Sequence, residues 1–271
     1  MDKKKLERVT VPGVMAMKKA GQRIVALTCY DYTMARLLNE AGVDLLLVGD
    51  SLGMVKLGYA STLPVTVDDM AYHTRIVARG NTRALLVTDM PYLSYHASPE
   101  EAVRNCGRML KLGAQAVKIE GGSEMAPVIR ALLAAKIPVM GHLGLTPQSV
   151  NLFGGFKVQG RERAARQKLL KEAQLLERLG VFSIVLECVP IDLARRITRA
   201  LTIPTIGIGA GPSCDGQILV TDDFLGLTPP PHPRFVKTYA DLRAIITQAA
   251  RCYGREVRSG QYPDPSHAYS G

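Results

Sequence analysis

The chain has 271 residues, of which 47% are hydrophobic and 21% are charged, and its formal net charge is +10 at pH 7. This composition excludes a disordered or fibrous chain, and the length favours one large domain, since single-domain α/β barrels typically occupy about 250 residues. No apolar run approaches the roughly 20 residues that span a bilayer, and residues 1–27 lack the apolar core of a signal peptide, so we expect a cytoplasmic protein.

Short aliphatic runs recur along the chain with the length and composition of buried strands. A run that is apolar throughout, rather than alternating with polar residues, is typical of a parallel strand covered on both faces. The runs that meet this description are IVALTC (24–29), LLLVGD (45–50), ALLVTD (84–89), AVKIEG (116–121), IPVMGH (137–142), SIVLEC (183–188), IPTIGIG (203–209) and QILVTD (217–222).

Amphipathic segments separate these runs and are predicted to be helices. In RQKLLKEAQLLERLG the apolar residues recur at helical spacing from Leu169 to Leu179, and Gly180 is a stop signal. Ser98 followed by Glu101 predicts a capping box at the start of another helix. Further helices are predicted over 33–42, 67–80, 123–136 and 192–201.

Strand and helix alternate eight times, which favours a closed barrel over a doubly wound sheet. We therefore predict an α/β fold of the TIM-type (β/α)8 class. It forms a single domain over residues 1–255, and residues 1–20 are a helical extension at the barrel base. Long loops over 51–66 and 144–160 are predicted to cover a ligand. The polar segment 256–271, rich in Pro, Gly and Ser, is predicted to be poorly ordered.

Ionisable residues stand at the ends of five consecutive predicted strands. In a (β/α)8 barrel the carboxyl ends of the strands form the mouth in which active sites are built. Helix capping is the simpler interpretation of a single Asp or Ser at such a place, but it does not explain ionisable residues on strand after strand. The residues concerned are Asp50 and Ser51, Asp89, Lys118 and Glu120, His142, and Glu187.

Lys118 and Glu120 are two residues apart in AVKIEGG and therefore lie on the same side of one strand. Buried charges are costly unless they are paired or bind a metal. Two interpretations remain open for Lys118. Either it forms a buried salt bridge with Glu120 or Asp89, or it neutralises an anionic substrate.

Three carboxylates, those of Asp50, Asp89 and Glu120, come from adjacent predicted strands and can converge on one ion. An all-oxygen ligand set suits Mg²⁺ rather than zinc. Glu187 ends an apolar run, where burial is expected to raise its pKa into the range of a general base, and the alternative is a solvated loop carboxylate. His142 is predicted either to hydrogen-bond a substrate oxygen or to satisfy loop carbonyls.

These residues predict a Mg²⁺-dependent enzyme that acts on a small anionic carbonyl compound. A divalent ion chelated by an α-keto acid withdraws charge from the carbonyl and makes the adjacent C–H bond more acidic. The predicted chemistry is carbon–carbon bond formation or cleavage through an enolate, with Glu187 as the base. The glycine-rich loop 207–217 matches neither a P-loop nor a dinucleotide fingerprint, so no residue in it is assigned.

The positive charge permits a second class of function, because nucleic-acid binders are also basic. The basic residues are spread over several segments in patterns typical of solvated helix faces, aromatic residues make up 6%, and Trp is absent. We therefore predict no nucleic-acid partner and no membrane partner. The five cysteines form no CxxC pair and indicate a reducing compartment, with Cys29 and Cys188 as small buried side chains.

The chain also resembles a known enzyme family over residues 20–235. Long segments in consecutive order are similar to ketopantoate hydroxymethyltransferases of pantothenate biosynthesis, among them LLLVGDSLGMVKLGY, GAQAVKIEGG and MGHLGLTPQSVNLFGGFKVQGR. The resemblance implies a homo-oligomer, commonly a decamer. It also implies Mg²⁺-dependent transfer of a one-carbon unit from 5,10-methylenetetrahydrofolate to 3-methyl-2-oxobutanoate, giving 2-dehydropantoate.

The resemblance also implies roles for particular residues. Matched position by position, the family's metal ligands fall on Asp50, Asp89 and Glu120, its substrate contacts on Asp50, Ser51, Asp89 and Lys118, and its general base on Glu187. The nearest alternative is another Mg²⁺-dependent barrel, a lyase or mutase that acts on a keto acid or enolpyruvate. Such enzymes resemble this chain less in SLGMVKLGY and GHLGLTPQ, and they need no folate.

Overall fold

The structure, a computed structural model, describes residues 7–269 of the chain. Its strands are parallel, each pairs with the next in sequence, and the eighth pairs with the first to close a barrel. The predicted (β/α)8 fold is therefore confirmed. The strands are β1 Ile24–Thr28, β2 Leu45–Val48, β3 Leu85–Asp89, β4 Ala116–Glu120, β5 Val139–Gly144, β6 Ser183–Glu187, β7 Thr205–Ile208 and β8 Gly216–Leu219.

Helices connect successive strands, as a right-handed parallel barrel requires, except that the segment 209–215 joins β7 to β8 without a helix, so the predicted alternation of strand and helix is interrupted there. They are α1 Val11–Lys19, α2 Tyr32–Glu40, α3 Leu52–Val55, α4 Val67–Gly80, α5 Pro99–Lys111, α6 Ala126–Ala134, α7 Val150–Phe153, α8 Arg163–Leu179, α9 Ile191–Ala200, α10 Thr221–Phe224 and α11 Leu242–Ser259. Short 3₁₀ turns cover Ser123–Met125, Pro147–Ser149 and Pro265–His267.

The helix ends follow local sequence signals. At the start of α5 the Ser98 hydroxyl accepts the Glu101 N–H, which is one half of the predicted capping box, and a complete capping box forms between Thr66 and Asp69 at the start of α4. Gly180 ends α8 in the left-handed conformation, with φ +105°. The helical spacing predicted in α8 is confirmed, since Leu169, Ala173 and Leu176 are its buried residues.

Most strands end one or two residues from the end of the predicted run, and β8 and β5 show the informative differences. The aliphatic run at 217–222 contributes only its first residues to β8, and Thr221 begins α10, because Asp222 and Asp223 in the first turn favour a helix N-terminus. Strand β5 extends to Gly144, two residues beyond the run that predicted it. This extension places the loop after β5 further out on the barrel mouth.

Aliphatic side chains from all eight strands fill the barrel interior at its amino-terminal end. The cluster includes Ile24, Leu45, Leu85 and Ile218, and Val14 of α1 joins it with no exposed surface. The predicted helical extension at the barrel base is thus confirmed for α1, while residues 1–6 lie outside the described residues. The core and the extension together close the barrel at the end opposite its mouth.

When residues are grouped by their contacts with one another, the chain divides into two compact units, one up to Val220 and one from Thr221 onward. The first contains the barrel, and the second contains α10, α11 and the turn Pro265–His267. The predicted boundary at residue 255 falls inside α11, which ends at Gly260 with φ +72°. Poor order over 256–271 stays a prediction. None of the described helices is both long enough and apolar enough to cross a membrane.

Lys18 attaches α1 to the barrel base and supplies a stability test. Its ammonium group donates to the carbonyls of Thr198 and Ile203, both at 2.9 Å, and lies 3.0 Å from Asp215 Oδ2. We expect Lys18→Met to lower the free energy of unfolding by about 2 kcal/mol, because hydrogen bonds from a charged donor are lost in a mostly buried place. Urea unfolding measures this change.

Lys19→Met is the matched control for this substitution. Lys19 is exposed in the same last turn of α1, so each variant loses one positive charge at the end of the helix. Only Lys18→Met also loses the contacts with Thr198, Ile203 and Asp215. Equal stability of the two variants would contradict the anchoring role.

Candidate active site

The predicted site residues lie together at the carboxyl ends of the strands. Asp50 and Ser51 follow β2, Asp89 ends β3, Lys118 and Glu120 belong to β4, and Glu187 ends β6. The charged residues of the inner group, Asp50, Asp89, Lys118 and Glu120, are each at most 5% exposed. The geometric expectation that distant acids meet at one mouth is therefore confirmed.

The parallel register explains why these residues meet. Asp89 pairs with Lys118 across β3 and β4, Glu120 pairs with His142 across β4 and β5, and Gly144 pairs with Glu187 across β5 and β6. Lys118 and Glu120 are separated by one residue, so both point into the barrel. Asp89 and Glu120 thus each have an ionisable neighbour on the next strand, whereas the register partner of Glu187 is a glycine.

Lys118 forms the shortest ion pair of the site. Its Nζ lies 2.7 Å from Asp89 Oδ1, and both side chains are 5% exposed. Of the two interpretations left open by the sequence, the buried salt bridge with Asp89 is the one present in this structure. The Asp50 N–H donates to the other Asp89 oxygen at 3.2 Å, so both oxygens of Asp89 have protein partners.

Burial and mutual repulsion shift the pKa values of the inner acids. Burial, followed by the charges of Asp89 and Glu120, holds the pKa of Asp50 well above its usual range. Burial also raises the pKa of Asp89, although Lys118 opposes it. Burial alone would raise the pKa of Glu120, but His142, Lys118 and the N–H of Gln148 outweigh it and lower that pKa. Three carboxylates so close together favour a bound cation.

His142 lies between Glu120 and Glu187. Its Nδ1 is 3.3 Å from Glu120 Oε1 and its Nε2 is 3.2 Å from Glu187 Oε2. Burial and Lys118 favour the neutral imidazole, but the two carboxylates outweigh them and raise the pKa of His142 to about 9. Nδ1 is also 3.1 Å from Lys118 Nζ, so it accepts from the ammonium when neutral and faces Glu120 as a donor when protonated.

Glu187 is the more exposed acid of the site, with 16% of its side chain accessible. Its position depends on a close approach of β5 and β6. A Cβ on Gly144 would lie 2.2 Å from the Glu187 carbonyl oxygen, and Gly144 has φ +99°, so only glycine fits there. The backbone that carries Glu187 is therefore fixed by the neighbouring strand.

Ser51 lies beside the inner acids and is held by an aromatic residue. Its Oγ is 2.9 Å from the Tyr30 hydroxyl, and either oxygen can donate. Tyr30 comes from the segment after β1, so the serine predicted to contact substrate has a partner on the neighbouring strand end.

Two polar residues of the site were not predicted. Gln148 lies on the turn after β5 and its amide hydrogen-bonds Asp50, while the Tyr95 hydroxyl hydrogen-bonds that amide. Both residues are buried. Both stand in loops, where no strand or helix periodicity marks an inward position, and this explains why sequence patterns did not single them out.

The three inner acids, Asp50, Asp89 and Glu120, form a candidate ligand set for a divalent cation. Among residues 7–269 no group of three or more His, Cys, Asp or Glu side chains stands in ready-made metal geometry. The donor set nevertheless fits a hard cation, because it consists of three close buried carboxylates and because Glu120 Oε1, 3.3 Å from His142 Nδ1, makes no hydrogen bond of good geometry.

A cavity of about 530 Å³ opens beside Glu120 and Gln148. Aromatic and apolar side chains form part of its wall, among them Tyr92, Phe153 and Leu152, and Leu152 is 85% exposed. The loop after β5, which was predicted to cover a ligand, forms part of the wall of this cavity. It is large enough for a second, larger molecule next to the acids.

Buried cysteines take no part in this arrangement. All five cysteines are free, and burial raises the pKa of the Cys29 and Cys188 thiols to about 12. Cys29 is buried as predicted, whereas Cys188 is only half-buried. Thiols with such pKa values are poor nucleophiles.

Sequence comparisons identify close relatives over nearly the whole chain. A family profile described as ketopantoate hydroxymethyltransferase matches residues 8–265. A 3-methyl-2-oxobutanoate hydroxymethyltransferase of Syntrophus aciditrophicus is 56% identical over 97% of this chain and 97% of its own length. A protein of the same name from Moorella thermoacetica is also 56% identical, over 97% of this chain and 98% of its own length.

Solved structures support the fold at much lower identity. A phosphonopyruvate hydrolase determined with oxalate and Mg²⁺ superposes with a TM-score of 0.63 at 13% identity, over 97% of this chain and 92% of that one. A 2,3-dimethylmalate lyase of the PEP mutase/isocitrate lyase superfamily gives 0.61 at 15% identity, over 94% and 92%. At these identities the likeness concerns the barrel alone.

The raised pKa of His142 predicts a pH-dependent stability of the metal-free protein. The folded state holds the His142 proton more tightly than the unfolded chain does, so this stabilisation is complete below about pH 6.5 and is lost as pH rises through about 9. In chelator, we expect the parent to exceed His142→Gln in unfolding free energy by more at about pH 6 than at about pH 10.

Urea unfolding at both pH values measures the difference, and the exposed His267→Gln variant is the control. A difference between the parent and His142→Gln that stays the same at the two pH values would contradict the raised pKa.

Proposed function

This chain belongs to the ketopantoate hydroxymethyltransferase family, and from that premise we propose its reaction in full. The protein transfers a hydroxymethyl group from 5,10-methylenetetrahydrofolate to C3 of 3-methyl-2-oxobutanoate, with uptake of one water, giving 2-dehydropantoate and tetrahydrofolate. The observation that carries this proposal is the convergence of Asp50, Asp89, Glu120 and Glu187 around Lys118 and His142 at one barrel mouth. The proposed reaction belongs to pantothenate biosynthesis.

Asp50, Asp89 and Glu120 are the proposed ligands of Mg²⁺. Their carboxylates repel one another in a buried place, and a hard divalent cation relieves that repulsion. When bound, the ion supplies Lewis-acid polarisation of the keto acid's oxygens. The chain's own residues supply the remaining functions.

Asp50, Ser51, Asp89 and Lys118 are the proposed contacts of the keto acid. The Lys118 ammonium is buried and held 2.7 Å from Asp89, so its position is fixed and water does not screen it from a substrate carboxylate or developing oxyanion beside it. Ser51, held by Tyr30, offers a hydroxyl to the same molecule. These residues orient the substrate with its C3 toward the outer part of the mouth.

Glu187 is the proposed general base. It lies nearer to solvent than the other acids, and His142 Nε2 faces its Oε2 at 3.2 Å. A carboxylate in this position removes the C3 proton of a substrate seated on the inner acids. In the proposed balance, one water cleaves both C–N bonds of the methylene bridge, which leaves tetrahydrofolate and a one-carbon unit at the oxidation level of formaldehyde. C3 bonds to the carbon of that unit, and the proton held by Glu187 passes to its oxygen, which becomes the new hydroxyl group.

The adjoining cavity of about 530 Å³ accommodates the folate in this proposal. From the family relationship we also propose that the protein is a cytoplasmic homo-oligomer, and specifically a decamer. No nucleic acid takes part, so the charge of +10 is proposed to attract anionic substrates instead.

A lyase or mutase of the phosphonopyruvate hydrolase type is the competing enzymatic function. Its support is the shared barrel, at 13–15% identity. The relatives at 56% identity over 97% of the chain favour the transferase, because such similarity extends through the loops as well as the strands. Dependence on a one-carbon donor separates the two.

The proposed reaction has a direct test. We expect 2-dehydropantoate to form from 3-methyl-2-oxobutanoate only when methylenetetrahydrofolate and Mg²⁺ are both present, and chelator to abolish the product. Product formation is followed by mass spectrometry. Turnover of the keto acid without any one-carbon donor would support the lyase or mutase instead.

Glu187→Gln tests the base. We expect this variant to lose exchange of deuterium at C3 of the keto acid by at least about 10²-fold, since a general base contributes 10²–10⁴-fold, while it retains its affinity for Mg²⁺. Proton NMR in heavy water measures the exchange. Exchange at the parental rate would remove Glu187 from this role.

Asp89→Asn is the matched comparison for Glu187→Gln, because it neutralises an acid of the inner group by an equally small change. We expect it to raise the Mg²⁺ concentration required for exchange. An unchanged Mg²⁺ requirement would contradict the proposed ligand set.

A further inference from the structure

Gln148 occupies the centre of the inner acids although it carries no charge. It follows β5 on the 3₁₀ turn Pro147–Ser149 and is 6% exposed. A residue on a loop after a strand is usually solvated. Its burial among carboxylates therefore calls for a specific explanation.

Every polar group of the Gln148 side chain has a partner. Nε2 donates to Asp50 Oδ2 and to the Met90 carbonyl, both at 2.9 Å, and Oε1 accepts from the Tyr95 hydroxyl at 2.8 Å. The opposite orientation of the amide would put its oxygen against two acceptors. Tyr95 is fully buried and so fixes which way the amide points.

The backbone of Gln148 holds a second acid. Its N–H donates to Glu120 Oε2 at 3.1 Å. One residue thus fastens Asp50, which follows β2, and Glu120, which ends β4, on either side of Asp89. The other oxygen of Glu120, Oε1, is buried and makes no hydrogen bond of good geometry, although it lies 3.3 Å from His142 Nδ1.

We propose that Gln148, oriented by Tyr95, is a positioning residue for the cation site and links that site to the loop after β5. It holds Asp50 and Glu120 at a fixed separation and in orientations that leave Glu120 Oε1 available to an ion. Conversely, an ion that fixes the two acids also fixes the turn that carries Gln148. The inference rests on the proposed function in taking the cation to be the one that the reaction uses.

This linkage is reciprocal. The loop after β5 and the ion contact the same carboxylates. If both contacts can form together, ion binding stabilises the ordered loop, and the ordered loop strengthens ion binding by the same free energy. The loop carries Leu152 and Phe153 along the wall of the adjoining cavity. Gln148 therefore connects occupation of the inner acids to the surface that faces the second substrate.

The test replaces the amide without emptying its space. Gln148→Met keeps nearly the same volume and the backbone N–H to Glu120 but cannot donate to Asp50. Tyr95→Phe keeps the ring and the amide but removes the hydroxyl that orients the amide. Asn151→Ala is the control, since Asn151 is an exposed amide side chain of the same loop.

Mn²⁺ binding, measured by electron paramagnetic resonance without substrates, is the first readout. Residues that orient metal ligands typically contribute 10–100-fold to metal affinity, so we expect Gln148→Met to weaken Mn²⁺ binding about 10-fold or more and Tyr95→Phe to weaken it less. Asn151→Ala should bind as the parent does. Parental affinity in Gln148→Met, with the fold intact by thermal melting, overturns the inference.

Hydrogen exchange is the second readout, and a merely structural role would not affect it. We expect Mn²⁺ to slow amide exchange in the peptide covering 145–153 of the parent and of Asn151→Ala, and to leave exchange in Gln148→Met nearly unchanged. An equal slowing in Gln148→Met would overturn the link between loop and ion.

The two proposals fail in different ways. Weakened Mn²⁺ binding in Gln148→Met together with no formation of 2-dehydropantoate by the parent would reject the proposed reaction and leave the role of Gln148 standing. Normal product formation with parental Mn²⁺ affinity in Gln148→Met would reject Gln148 alone. Absence of Mn²⁺ binding by the parent would reject both.

Discussion

The balance of charge at the barrel mouth is the constraint on which the rest of the structure depends. Asp50, Asp89 and Glu120 are at most 5% exposed, and within residues 7–269 the positive charge next to them comes from Lys118 and His142. Placing several like charges in a buried space is unfavourable unless each has a partner. The strand register provides those partners across neighbouring strands, and loop residues provide the rest.

Much of this arrangement was predictable because a parallel barrel obeys simple rules. Runs such as Leu45–Val48 are apolar throughout, and their alternation with amphipathic segments determines the (β/α)8 class. Since every strand ends at the same mouth, acids that are far apart in sequence, such as Asp50 and Glu187, had to meet there. That Lys118 and Glu120 share one face of β4 followed from their spacing of two residues alone.

Other parts were outside the reach of these rules. Gln148 and Tyr95 lie in loops, where the backbone has no fixed period, so their inward direction depends on tertiary contacts with Asp50 and Met90. Gly144 illustrates the same limit. Only glycine fits there because a side chain would collide with the Glu187 carbonyl on the next strand, and that contact is not visible in the sequence around Gly144. The residues that carry charge were thus recognisable from sequence, whereas the uncharged residues that orient them were not.

The closed base of the barrel has a kinetic consequence. Val14 of α1 joins the aliphatic cluster that fills the amino-terminal end, so the inner acids communicate with solvent through the mouth alone. The acids lie deep and Glu187 lies nearer the opening. If the proposed reaction is correct, the small keto acid would bind before the larger folate, and the folate would leave before the product. A site with a single opening thus favours ordered binding of two substrates of unequal size.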